Sequence, residues 1–171
     1  SDTAQEGCDF IDMSLVDGYT LPFKLEMQGP WCSRANRVLD CSGLTFARCP
    51  SAEGFSAGFT KDLRAINPVA KAVAGCYSPC SKLTMEKWGN PVLPREDGRV
   101  APYCCPIPPS TPESCRAGPV KDTQFVGRVH SVCPGVYGYS FDDAEGLMKC
   151  HPSTHYTLTF YCPAQGSRSG G

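Results

Sequence analysis

No stretch of this sequence approaches the roughly 18 consecutive apolar residues of a membrane span. No apolar segment opens it either, so a secretory leader is expected to have been removed already. Basic residues do not outnumber acidic ones: 16 Lys and Arg stand against 17 Asp and Glu, with no basic run. That leaves no surface for neutralising a phosphate backbone, and nucleic acid is set aside as a partner. Histidine is scarce, 3 in all, and paired C-x-x-C knuckles are missing. A zinc cluster is therefore not the expected use of the cysteines, and no metal site is assigned. There is no N-x-S/T sequon, no Ser/His/Asp order, no phosphate loop and no dinucleotide fingerprint, so no cofactor is expected.

What the chain does have is cysteine: 12 in 171 residues. An even count at that density points to disulfides made in an oxidising compartment, because cytosolic thiols are kept reduced. The implied location is secreted, extracellular or in a cell wall. Length fits one domain over residues 1–165 with enough chain to bury a core. The closing Gly166-Ser-Arg-Ser-Gly-Gly171 reads as a linker or tag remnant rather than fold.

Two segments carry strand periodicity. Ile11, Met13 and Leu15 alternate with Asp12 and Ser14, and Asp17-Gly18 offers the positive torsions of a tight hairpin turn into Tyr19–Leu25. Asp12 thus points away from the packed side. Near the other end Tyr156, Leu158, Phe160 and Cys162 alternate with Thr157, Thr159 and Tyr161. Helices should be short: Asn67 and Pro68 suit the start of one running from Val69 to Ala74 and stopped by Gly75, and Phe125, Val126, Val129 and Cys133 have near-helical spacing. Neither is expected to organise a helical core. The Pro- and Cys-rich stretch from about Pro79 to Pro119 holds a shape only when cross-linked, and reads as a disulfide-rich lobe.

Several spaced motifs occur in one order: FIDMSLVDGYTLPFKL, LDCSGLTFARCP, DLRAINPVAKAVAGCYSPC, YCC, VCPGVYGYSFDD and YTLTFYCP. From about residue 9 to 163 the chain resembles the thaumatin-like proteins, also called the osmotin or pathogenesis-related group. The resemblance implies a mainly β protein, a thaumatin-like β-sandwich with short helices and a disulfide-rich loop lobe inserted at about 41–133. It also implies the pairings Cys32–Cys150, Cys41–Cys133, Cys49–Cys76, Cys80–Cys104 and Cys105–Cys115; spacing alone fixes none of them. Family members carry a further segment ahead of the FIDMSLVDG motif, so this chain reads as a shortened member. Cys8 is then the one cysteine left for Cys162. A sheet face uncovered by the shortening would need residues 52–74 or a second copy, a homo-oligomer, to bury it.

The resemblance further implies an acidic groove for cell-wall polysaccharide, β-1,3-glucan foremost, with Asp12, Asp17 and Asp142 matching its carboxylates. The family's arginine and glutamate have no counterpart. Residue by residue, Asp17 also suits a turn and Asp142 a solvated loop, while a carboxylate within the apolar strand of Asp12 must face a groove or find a partner. Trp31, Tyr77, Trp88, Tyr103, Tyr137 and Tyr139 are candidates for stacking on sugar rings, though most should fill core. His151 and His155 have i, i+4 spacing, but Pro152 makes a surface loop the reading there. Three functions follow: an antifungal or wall-remodelling glucan binder, an endo-β-1,3-glucanase using the same carboxylates, and an inhibitor module binding protein through the proline-rich lobe.

Overall fold

Alternation decides the first strand that builds core. In the segment Phe23–Gln28, Phe23, Leu25 and Met27 are buried while Lys24 and Glu26 face out, as a period of two requires. The structure is a computed structural model that describes residues 7–85 and 93–162; Trp88 and residues 166–171 lie outside them. Its strands are β1 (Asp9–Asp12), β2 (Gly18–Tyr19), β3 (Phe23–Gln28), β4 (Val38–Asp40), β5 (Glu53–Gly54), β6 (Thr60–Lys61), β7 (Arg64–Ile66), β8 (Val73–Tyr77), β9 (Leu147–Cys150) and β10 (His155–Phe160). Its helices are α1 (Pro79–Thr84), α2 (Ala101–Cys104), α3 (Pro112–Ala117), α4 (Gln124–Val132) and α5 (Asp143–Gly146). The protein is mainly β with short helices, in the order β10-β3-β4, β2-β8-β7, β1-β9 and β5-β6, all antiparallel.

Two local expectations fail. Asp17-Gly18 does turn, with Gly18 at φ 109°, but it closes no hairpin: β1 pairs with β9 and β2 with β8. Each of these short strands finds a longer-range partner once the chain is folded, which a local pattern does not reveal. The Val69–Ala74 helix is likewise replaced by the turn between β7 and β8 and by the first two residues of β8. There the Asn67 side chain accepts from the Val69 and Ala70 N–H groups, both at 2.9 Å, and so satisfies the turn instead of starting a helix.

α4 is more central than its length suggests. Phe125, Val126 and Val129 are almost completely buried, and Phe125 stacks on Tyr19 of β2 at 6.2 Å. Thr123 caps its start, and the buried carboxylate of Glu53 accepts from the Gln124 N–H at 3.0 Å and the Phe125 N–H at 2.8 Å. An anion at the positive end of the helix, bonded to its unpaired donors, is what a buried carboxylate needs to be tolerated.

Bridges join Cys32 to Cys150, Cys41 to Cys133, Cys49 to Cys76, Cys80 to Cys104 and Cys105 to Cys115. Cys8 and Cys162 are both free, so the sixth expected bridge is absent. The reason is the length of β10. Tyr156 Oη donates to Asp9 Oδ2 at 2.8 Å, which puts Cys8 at the start of β10, whereas Cys162 lies beyond its end. From 156 to 162 an extended chain covers about 20 Å, and a disulfide needs Cα atoms within about 7 Å.

Candidate functional site

The site is built where the end of β1 meets the loop between α4 and β9. The Leu15 N–H donates to Tyr137 O and the Tyr137 N–H to Met13 O, both at 2.9 Å, which straps residues 13–15 alongside Tyr137. The chain then runs through Tyr139 to Phe141, whose φ of 67° lies in the left-handed region. This reversal separates the two adjacent aspartates. Asp142 turns inward and is 5% exposed; Asp143 turns outward and opens α5.

Asp142 is thus not in a groove, contrary to the expectation from the sequence. Its Oδ2 accepts from the Gly138 N–H at 2.9 Å and from His130 Nε2 at 2.7 Å, tying the loop to α4. That hydrogen bond and the carboxylate charge raise the His130 pKa above its ordinary 6.5, against the opposing effect of burial.

Asp143 takes the outward place. Its Oδ2 accepts from Arg116 Nη2 of α3 at 2.6 Å and its Oδ1 from Tyr137 Oη at 2.9 Å. Arg116 also donates from Nε to Phe141 O at 3.0 Å, so one guanidinium holds both the carboxylate and the reversed backbone in place. These bonds, Arg116 foremost, hold the Asp143 carboxyl below the usual carboxylate range. Tyr137 responds in the opposite sense: burial, the bond to Asp143 and the neighbouring charges push its hydroxyl well above 10.

Asp12, at the end of β1 and exposed, lies beside this cluster. Partial burial and then the Asp143 charge push its carboxyl above the usual range. The structure therefore brings together two acids whose surroundings act in opposite senses, raising the Asp12 pKa and lowering that of Asp143. Arg116 supplies a cation to the site from α3, where it directly follows the bridged Cys115. The sequence reading missed both Asp143 and Arg116. Asp143 could have been suspected as the second of two adjacent acids, whereas nothing in the local sequence around Arg116 points to it.

Asp17 sits elsewhere, in the turn beyond that strap. Ser81 Oγ donates to its Oδ1 at 3.3 Å, and it lines a hollow of about 380 Å³ with Gly18, Ala74, Gly75 and Tyr77. Lys82 Nζ lies 5.3 Å from the centre of the half-buried Tyr77 ring. Of the other aromatic candidates, Tyr103, Tyr137 and Tyr139 are buried in the core, and Trp31 is half-buried with its ring edge-on to His151. His151 Nδ1 is 2.7 Å from Ser153 Oγ in the turn before β10.

Comparison with known proteins gives a consistent picture. The Thaumatin family model matches residues 1–163. The chain is 33% identical over 159 residues to a Prunus avium protein named glucan endo-1,3-beta-glucosidase, an alignment covering 92% of this chain and 50% of that protein. It is 32% identical over 157 residues to thaumatin-like protein 2 of Prunus persica, covering 92% and 51%. With thaumatin-like protein 1 of Arabidopsis thaliana it shares 30% identity over 159 residues, covering 91% and 45%. The chain thus spans about half the length of the curated relatives it matches.

Proposed function

This chain belongs to the thaumatin family, and on that premise we propose that it acts outside the cell, in defence or wall remodelling. In this reading it binds cell-wall polysaccharide, β-1,3-glucan above all, through the face shared by Asp12 and Asp143. The observation that carries the reading is the pairing of an exposed Asp12 with an Asp143 held outward by Arg116 and Tyr137. Carboxylates so placed accept hydrogen bonds from sugar hydroxyls, and charged acceptors bind more strongly than neutral ones. The Prunus avium relative's name adds support at 33% identity, over half of that protein's length.

Hydrolysis is the second reading, favoured by one observation: the two carboxyls are pushed in opposite directions, Asp12 up and Asp143 down. Glycoside cleavage divides labour in that way, one acid protonating the leaving oxygen while the other acts as base or nucleophile.

One set of tubes tests both. Wild type and the Asp12→Asn/Asp143→Asn double variant are mixed with insoluble β-1,3-glucan, cellulose and chitin, and bound protein and new reducing ends are measured together. Retention on β-1,3-glucan by wild type, falling about tenfold or more in the double variant (a loss of about 1.4 kcal/mol), is the expected result. New reducing ends that vanish with Asp12→Asn would move hydrolysis ahead. No retention of wild type on any polymer would sink the glucan assignment and favour a protein target for the proline-rich lobe.

A further inference from the structure

We propose that the outer edge of β10 docks a second copy of this chain, as an antiparallel strand partner linked by two reciprocal Cys8–Cys162 bridges. The inference is independent of the polysaccharide reading.

β10 pairs with β3 on one side and with no strand of the described residues on the other, so a row of backbone donors and acceptors is left open. Its side chains are unusual for an edge. Opposite them on β3, Met27, Leu25 and Phe23 are 3%, 4% and 4% exposed, yet their cross-strand neighbours Tyr156, Leu158 and Phe160 are 37%, 44% and 59% exposed. Half of this apolar sheet face is covered and half is bare. β10 itself carries no Lys, Glu or Pro, the residues that normally blunt an open edge.

The two free thiols indicate the occupant. They lie at opposite ends of β10 and cannot meet within one chain. A two-fold axis through the strand reverses the copy, so the Cys162 end of one chain comes to the Cys8 end of the other. The apolar side chains face one another when Leu158 opposes Leu158 of the second copy and Tyr156 opposes its Phe160. Carrying that register two residues further places Cys162 of the second copy opposite Thr154. The β1–β9 register, carried one residue back, places Cys8 opposite His151. His151 and Thr154 close one turn, the Thr154 N–H donating to His151 O at 2.9 Å, so these positions are neighbours. β1 and the incoming strand both run antiparallel to the β9–β10 segment, and so meet end to start along one edge. Because the contact is isologous, the same bridge forms twice.

The area available explains why bridges are needed. The bare parts of Tyr156, Leu158 and Phe160 amount to roughly 300 Å² per copy, taking about 200 Å² for a whole side chain of this size. A stable non-covalent interface buries about 800 Å² per partner. The apolar row and strand ladder bring the copies into register, and the covalent links hold them. Each bridge forms by exchange with a small disulfide such as oxidised glutathione. The Cys8 thiolate attacks one sulfur and releases one thiol; Cys162 of the second copy then displaces the other. Two protein thiols are oxidised, one small disulfide is reduced to two thiols, and the protein's two protons end on those thiols.

The test uses the full chain in an oxidised/reduced glutathione buffer, read by light scattering, non-reducing electrophoresis and disulfide peptide mapping. A dimer with Cys8 joined to Cys162, returning to monomer in mild reductant, is expected. Cys8→Ser and Cys162→Ser should each be monomeric alone, whereas their mixture should regain a dimer with one bridge, and Leu158→Lys should cut wild-type dimer yield about tenfold or more. Circular dichroism checks that each variant folds; if one does not, the wild-type peptide map decides alone. Cys162–Cys162 or Cys8–Cys8 links, a Cys8–Cys162 link within one chain, or a monomer at every concentration would overturn the proposal.

Discussion

At the scale of single residues, two ionisable groups, one buried and one half-buried, have jobs that their sequence neighbourhoods conceal. Glu53 lies in a Ser-Ala-Glu-Gly-Phe stretch that reads as a loop, yet its carboxylate bonds two of the open N–H groups of α4 while 2% exposed. Glu53→Gln turns one acceptor into an amide N–H₂ facing a backbone N–H. It should cost about 2 kcal/mol, the range for hydrogen bonds to charged groups, seen as a lower urea midpoint with unchanged slope. His130 makes a pH-dependent contribution. Its pKa is raised on folding by the bond to Asp142, above the 6.5 of the unfolded chain. Folding therefore takes up a proton between the two values, and the stabilisation is complete below pH 6.5 and lost as pH climbs through the folded pKa. His130→Gln should accordingly destabilise more at pH 5.5 than at pH 9, by about 1 kcal/mol. Equal losses across that window in denaturation curves would show that His130 acts by packing alone.

At the scale of elements, the four-residue α5 controls the site through a glycine. A Cβ added at Gly146 would run into the Tyr137 ring, which is 7% exposed and has little room to retreat. Since the Tyr137 hydroxyl holds Asp143 Oδ1, Gly146→Ala should loosen the carboxylate as well as the fold. We expect about 1 to 3 kcal/mol of destabilisation, as for other overpacked sites, with weaker retention on β-1,3-glucan at temperatures where the variant is still folded. Elements also show where local reading held. β10 and α4 were legible because their periodicity spans six to nine residues, whereas the single run read from Tyr19 to Leu25 is divided between β2 and β3. β1 and β2 could be read as strands but not paired, because two to four residues carry no information about a partner some 60 to 140 residues away along the chain. The segment after Asn67 offered helix-start residues, and a side chain able to satisfy a turn used them for that.

At the scale of the whole molecule, five bridges hold together short strands and helices that could not each sustain themselves, and two of them close loops of 92 and 118 residues. In the chain-entropy model, bridges over such loops contribute about 4 to 5 kcal/mol each. Reduction followed by alkylation should abolish the near-ultraviolet circular dichroism and the cooperative melt, while the oxidised chain keeps both. By itself the sequence determined the class of molecule: cysteine density and ordered motifs point to a disulfide-bonded, mainly β member of the thaumatin family, since composition and motif order survive without coordinates. It also nominated Asp12. Tertiary structure alone decided which of two adjacent aspartates faces outward, because that depends on the left-handed Phe141 and on a histidine 12 residues earlier. It likewise decided that Arg116 comes from another element to hold Asp143, and that Cys8 and Cys162 lie a full strand apart. Those outcomes depend on distances between segments remote in the chain, which only the packed fold sets.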